Sequence, residues 1–363
     1  MKLLAGILFL AALLALPAAA GAAPPTAALL LFLDAESEPG LPAAPAELRE
    51  AARKQLVAAL AAPGRRLCAG DEVESLLAAA RVRSQRGLSQ ALVSAVAERC
   101  GADQLIVARL AFSRGKLFLA LRGIAPADGR LLQVAIAERD LAVGDDWRRA
   151  LGDAALELAA AWREPAAGGP AGEGLLVLPA RGAGVDPLLL SLLEESLLAE
   201  LLAQGRWRVL DPALLVAYLR DEGLHPAAIG AAARRALAAD LGAAGLLRLS
   251  VVGDAAGPRG GPGQRADERP RRLDEDDERE PERLRASAAA AARQAGQPIY
   301  ATLEWVDGER GLLRRVAEQY LPAQPATGSF GRPRHRTWSA RSAQLTAPLA
   351  AALIDSSRAE ARP

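Results

Sequence analysis

The chain is poor in the side chains on which most soluble catalysts depend. Its 363 residues include two histidines, two cysteines and one methionine, and aromatics make up 4%. With only His225 and His335 available, a His-rich or Cys/His zinc site is excluded by count, leaving only unusual carboxylate sites. There is no G-x-S-x-G nucleophile turn, and "GPRGGPGQR" lacks the Gly-Lys-Ser/Thr ending of a phosphate loop. Asp274 to Glu278 is a run of carboxylates flanked by arginines, which reads as a solvated charge run rather than a metal site. No catalytic, cofactor-binding or metal-ligating residue is therefore assigned. A formal net charge of +1 offers little electrostatic pull on nucleic acid. Lysine is also scarce: Lys2, Lys54 and Lys116 stand among 44 basic residues. Beside abundant Ala, Gly and Pro, this arginine excess reads as codon bias and not as a binding site.

No apolar run reaches the roughly 20 residues that span a bilayer. The longest, Leu3 to Leu16, follows Lys2, is closed by Pro17 and leads into small residues. That layout predicts a secretory signal peptide over residues 1–22, with Ala20 as a second cleavage option. No cysteine follows the run to carry a lipid. The mature chain is expected to be periplasmic or secreted, without a transmembrane segment, or peripheral at the outer membrane.

What the chain does have is a repeat. "TAALLLFLD" (26–34) reads as a buried strand, and in the following helical pattern Leu48, Ala52, Leu56 and Leu60 form one apolar face. Gly64 is expected to stop that helix. The short strand "RRLCA" follows, then a helix from Asp71 as N-cap to Arg81, then another over Leu88 to Arg99 that ends at Cys100-Gly101. The second half repeats this order at an offset of 141 residues: Leu189, Leu193, Leu197 and Leu201 form the helix face, Gly205 matches Gly64, and Gly242 matches Gly101. Asp211-Pro212 is a helix start with proline in the first turn, and "HPAAIGAAARRALAADLG" from His225 is read as the helix before Gly242. After the matched glycines each half becomes a three-strand meander with a closing helix. In the first half the meander turns at Arg114-Gly115 and Asp128-Gly129, and the closing helix is expected over 145–162; in the second it is expected over 343–357.

Each half thus reads β-α-β-α-α-β-β-β-α. The fold class is α/β of the α+β type: two tandem similar domains, each a mixed sheet with helices packed on it. The domains are placed at 23–163 and 174–363, joined by a Pro/Gly linker over 164–173 that would let them reorient. An insert at 254–297, rich in Gly, Pro and charge, cannot bury enough apolar surface to offset its ordering entropy and is expected to be a disordered loop. Cys68 and Cys100 are a disulfide candidate in an oxidising compartment, separately buried free thiols being the alternative. "FGRPRHRTW", with Arg332, Arg334, His335, Arg336 and Trp338, is a candidate contact for a partner or an anionic group.

An exported chain with "LLLFLD" or "LLVLPA", a long amphipathic helix, a short strand, and Gly101-Ala102-Asp103 before Leu105-Ile106-Val107 resembles the TolB N-terminal domain family. It is similar also to the flagellar assembly protein FlgO, the curli secretion protein CsgG and the penicillin-binding-protein activator LpoB. The second copy keeps Gly242-Ala243 but has Ala244 where the aspartate would stand. The resemblance implies non-enzymatic envelope work: docking to envelope proteins, with peptidoglycan or an anionic glycan as a further contact, no nucleic acid and no cofactor. The competing expectation is an exported hydrolase with a carboxylate-based site, for which Asp34, Asp103 and Asp211 lie near strand ends.

Export makes a first prediction. Intact-mass measurement of the periplasmic or secreted protein should give a chain beginning at or near Ala23, and a membrane-retained species that still carries Met1 would refute it.

Overall fold

The computed structural model describes residues 26–33, 42–61, 66–113, 115–141, 146–162, 172–225, 229–253, 299–309, 313–321 and 338–360. The signal segment, the 254–297 insert, most of the 164–173 linker and Gly64 lie outside this set. Along the first half run β1 (Thr26–Leu33), α1 (Pro45–Leu60), β2 (Arg66–Cys68), α2 (Asp71–Ala79), a 3-10 turn (Gln85–Gly87), α3 (Gln90–Cys100), β3 (Gln104–Ser113), β4 (Lys116–Ile124), β5 (Leu131–Asp140) and α4 (Trp147–Ala161). The second half repeats the order as β6 (Glu173–Ala183), α5 (Pro187–Ala203), β7 (Trp207–Leu210), α6 (Pro212–Asp221), α7 (Ala231–Asp240), β8 (Ala243–Gly253), β9 (Ile299–Asp307), β10 (Leu313–Leu321) and α8 (Trp338–Glu360). Two five-stranded mixed sheets result, in the orders β2-β1-β3-β4-β5 and β10-β9-β8-β6-β7. In each, the first three strands in sequence are parallel and the meander strands antiparallel.

The apolar pattern assigns the faces. β1 is apolar along its length because both its faces are covered. Ala27 and Leu29 meet the buried stripe of α1 and the core side of α4, while Ala28, Leu30 and Phe32 meet α2 and α3. The α1 stripe is Leu48, Ala52, Leu56 and Leu60, the set expected from the four-residue spacing. In the second half α5 and α8 take the places of α1 and α4, whereas Leu176, Leu178 and Leu246 face α6 and α7. Gly101 and Gly242 both adopt left-handed backbone, φ 57° and 59°, just past a helix, which glycine accepts without the Cβ penalty. Ala102 N–H reaches back to the Ala97 carbonyl at 2.8 Å to close the first of these ends.

Some details differ from the sequence reading. Asp71 is the first residue of α2 rather than its cap; Gly70 takes the cap position and makes no side-chain bond there. An aspartate in the first turn still favours the positive end of the helix. The helix expected from His225 begins at Ala231, preceded by Gly230 in extended backbone, so His225 lies outside it. The last helix starts at Trp338, five residues before its expected start at 343. The halves also do not hang freely on a linker. The edges of the two sheets touch through a single antiparallel bridge between Arg130 and Leu210, and Asp211 N–H donates to the Gly129 carbonyl at 3.0 Å. One apolar cluster runs through both halves.

Cys68, at the end of β2, and Cys100, at the end of α3, are joined by a disulfide with Cα atoms 5.8 Å apart. β1 brings these ends together, since β2 and β3 pair on its two sides. The bond spans 32 residues, and loop-closure entropy assigns it a stabilisation of about 3–4 kcal/mol. Denatured, unreduced protein should therefore show no free thiol. Cys68→Ala/Cys100→Ala should unfold at lower denaturant by about that amount; an unchanged midpoint would remove the bond from the stability argument.

Candidate functional site

The two halves meet over α5, and its sequence shows why. α1 has one apolar stripe. α5, "PLLLSLLEESLLAELLA", is apolar nearly all round, and Leu192, Leu193, Glu195, Ser196, Leu197, Leu198 and Leu201 are all buried. A helix of that kind has neighbours on more than one side. One side is its own sheet. The other is the face of the first sheet that α2 and α3 do not reach: Leu188, Leu189 and Leu192 pack on Ala111, Phe118 and Ile136. Asp186 caps the helix, accepting from Leu188 N–H at 2.8 Å.

At the centre of this contact lies Arg122 on β4, 3% exposed. Its Nε donates to Glu195 at 2.8 and 3.0 Å, Nη1 lies 3.3 Å from Asp211, and Nη2 is 3.1 Å from Glu194. Two of the carboxylates are tied down in turn. Glu194 accepts from Ala180 N–H of β6 at 3.0 Å, and Asp211 caps α6 through Ala213 N–H at 2.8 Å. Burial alone would depress the guanidinium pKa, but Glu195, Asp211 and Glu194 outweigh it and hold Arg122 protonated well above its ordinary value. One turn of α5 away, Arg109 of β3 donates to Ser191 at 3.1 Å. This cluster positions two sheets; it presents no reactive group to solvent.

The equivalent face of the second sheet is different. By strand register, Val252 and Tyr300 pair as Ala111 and Phe118 do, and Tyr320 stands across from Tyr300. No helix among the described elements lies there as α5 lies on the first sheet. Val252 is 51% exposed, Tyr300 37% and Tyr320 58%. These three large side chains adjoin one another on one sheet face.

A second feature is an open groove of about 1400 Å³ between α1 and α2 at the C-terminal end of β1. Arg49, Arg81, Arg83, Asp71 and Glu74 give it mixed charge. Arg81 has φ 55°, a left-handed residue at the end of α2 where glycine would be unstrained.

Of the carboxylates considered for a hydrolase, Asp103 is exposed at the N-terminal end of β3, Asp211 is buried in the ion cluster, and Asp34 lies outside the described residues. Asp103 and Asp211 do not converge on one pocket. Among the described residues, no group of three His, Cys, Asp or Glu side chains is placed to hold a metal ion, and no helix is long and apolar enough to cross a membrane. Arg332, Arg334, His335 and Arg336 fall outside the described residues, and Trp338 is the first residue of α8. Sequence reasoning missed Arg122, Glu194 and Glu195. Their signal was present: a lone arginine in "KLFLALRGI" and a Glu-Glu pair in an otherwise leucine-rich helix.

No protein-family model matches the chain, and no curated protein matches it. Among solved structures it is similar to the lipoprotein GNA1162 from Neisseria meningitidis, at 12% identity and a TM-score of 0.28, over 52% of this chain and 99% of that one. It is similar to PelC from Paraburkholderia phytofirmans, solved as a dodecamer, at 12% identity and 0.23, over 37% and 84%. It is also similar to the hypothetical protein CT253 from Chlamydia trachomatis, at 15% and 0.25, over 38% and 93%. Likenesses this distant carry no functional inference.

The ion cluster makes a stability prediction. Arg122→Met would leave buried carboxylates without their cation, and removing one partner of a buried ion pair costs about 3–5 kcal/mol. Urea unfolding should show that loss, and Arg122→Met/Glu195→Met should recover part of it. An Arg122→Met midpoint equal to wild type would mean the cluster does not hold the halves together.

Proposed function

We propose that this chain is an exported, non-catalytic adaptor of the bacterial cell envelope that works by docking protein surfaces in the periplasm or at the outer membrane. The observation that carries the reading is the unequal use of two equivalent faces. On the first sheet the face is filled by α5; on the second it is exposed at Val252, Tyr300 and Tyr320. Exposed aromatic and branched apolar side chains on a rigid sheet contribute contact area at little cost in ordering entropy, which suits protein recognition. The disulfide of Cys68 and Cys100 fits a chain that matures in an oxidising compartment, as does the apolar segment 3–16. The sequence resemblance of Gly101-Ala102-Asp103 and its flanking strands to the TolB N-terminal domain family implies the same.

The test is site-specific crosslinking in intact cells. A photoreactive residue at Val252 or Tyr320 should give a discrete protein adduct, and one at exposed Glu222, just past the C-terminal end of α6, should not. Absence of any adduct from positions 252 and 320 would refute the docking surface. Turnover of a peptidoglycan, glycan or phosphoester substrate by purified protein, abolished by one carboxylate-to-amide change, would replace the adaptor with an enzyme.

A further inference from the structure

The covered face of the first sheet can be compared position by position with the exposed face of the second. Position 122 of β4 pairs with Val107, and position 304 of β9 pairs with Arg248, the residue that matches Val107 at the 141-residue offset. Glu304 therefore stands where Arg122 stands. On the helix side, Lys54 of α1 stands where Glu195 stands in α5, and Arg53 where Glu194 stands. The central pair is thus exchanged in sign, arginine on the sheet and glutamate on the helix becoming glutamate on the sheet and lysine on the helix, with Arg248 across from Glu304 on the sheet and Arg53 bonded to Glu50 on the helix. The pattern extends one turn further. Glu50 stands where Ser191 stands, opposite position 250, and Ser250 has Arg181 beside it on β6. Apolar complementarity accompanies the charge: Ala51 takes the place of Leu192, smaller on the helix, while Val252 and Tyr300 stand in the places of Ala111 and Phe118, larger overall on the sheet.

α1 cannot reach this face within its own chain, because its inner stripe is fixed on the first sheet. Its outer side is nonetheless open, with Glu47, Glu50 and Lys54 all exposed. Each chain therefore carries one exposed helix of this type and one exposed sheet face. Resting on the docking reading above, we propose that a second copy of this chain lays the outer side of its α1 across the open face of the second sheet, with Lys54 beside Glu304. The contact repeats between chains what α5 does within one. It is heterologous, so each chain offers both a donor and an acceptor, and the assembly grows head to tail into a ring or a filament.

The test uses the mature full-length protein in light scattering and sedimentation velocity at tens of micromolar. Wild type should exceed the mass of one chain. Lys54→Glu and Glu304→Lys should each weaken self-association by about tenfold or more, since each sets like charges against one another. An equimolar mixture of the two variants should assemble again, because every contact between unlike variants pairs opposite charges. Val252→Asp should abolish assembly. Circular dichroism melts check that each variant is folded, and Lys54→Glu, on an exposed helix surface, keeps the test valid even where Glu304→Lys destabilises the sheet. A monomeric wild type would overturn the proposal, as would an assembly unaffected by both reversals or variants that fail to complement on mixing. If wild type is monomeric while position 252 still crosslinks to a different protein in cells, self-docking fails and the adaptor reading stands; if neither occurs, both fail.

Discussion

The arrangement depends on a buried guanidinium. Arg122 sits in an apolar strand and is buried, so its charge needs carboxylate partners, and all three come from outside its own sheet. They come from α5 and from the cap of α6, both in the second half. An apolar contact between the halves could slide; a cation held by three carboxylates, two of them anchored in turn, resists sliding. Glu194 is anchored to β6 and Asp211 to the first turn of α6, so the guanidinium sets the position of the second sheet through two of its elements at once. The bridge of Arg130 with Leu210 and the Asp211 N–H bond to Gly129 lie beside this point. Gly129 has φ 70°, and a Cβ there would come within 2.7 Å of Leu214 and of the Gln90 side chain. The turn that joins β4 to β5 is thus also a surface of the interface, and glycine is required for both reasons.

Duplication explains the fold, and departure from duplication explains the interface. Equivalent helices α1 and α5 keep the same inward stripe, so both sheets are covered alike on that side. Their outward sides have diverged. On α1 they are charged and face solvent; on α5 they are leucines with an embedded Glu-Glu pair and face the first sheet. The sheets diverged in step: Arg122 is matched by Glu304, and Ala111 by Val252. A helix and a sheet that change together describe one contact made inside the chain and a second set of surfaces left outside it.

Much of this was legible in the sequence. The order of elements in both halves follows from apolar periodicity, the two helix-stop glycines and the Asp128-Gly129 turn, because these features act over a few residues. The pairing of Cys68 with Cys100 could be reasoned from β2 and β3 flanking β1. What was not read is the contact between halves. Pro/Gly composition at 164–173 suggested domains that reorient, yet linker composition says nothing about the surfaces on either side of it. The information was in α5, whose leucines exceed what one sheet can cover, and in Arg122, whose charge has no partner within "KLFLALRGI". Both are long-range features, legible only once an apolar-all-round helix is taken to require a second neighbour.

A rigid pair of sheets changes how such a chain would gain affinity. With a flexible linker, two weak sites cooperate through effective concentration over a range of spacings. Here the spacing and orientation of the two sheets are fixed by Arg122, Glu195 and Asp211, so α1 of the first half and the exposed face of the second hold one geometry relative to each other. Ordering entropy that a linker would lose on each binding event is already lost in folding. The consequence is selectivity by shape: a partner or a further copy must match the angle between the halves as well as the chemistry of one face. Loosening the Arg122 cluster would therefore weaken the docking proposed at Val252 and Tyr320 without altering a single residue of that surface.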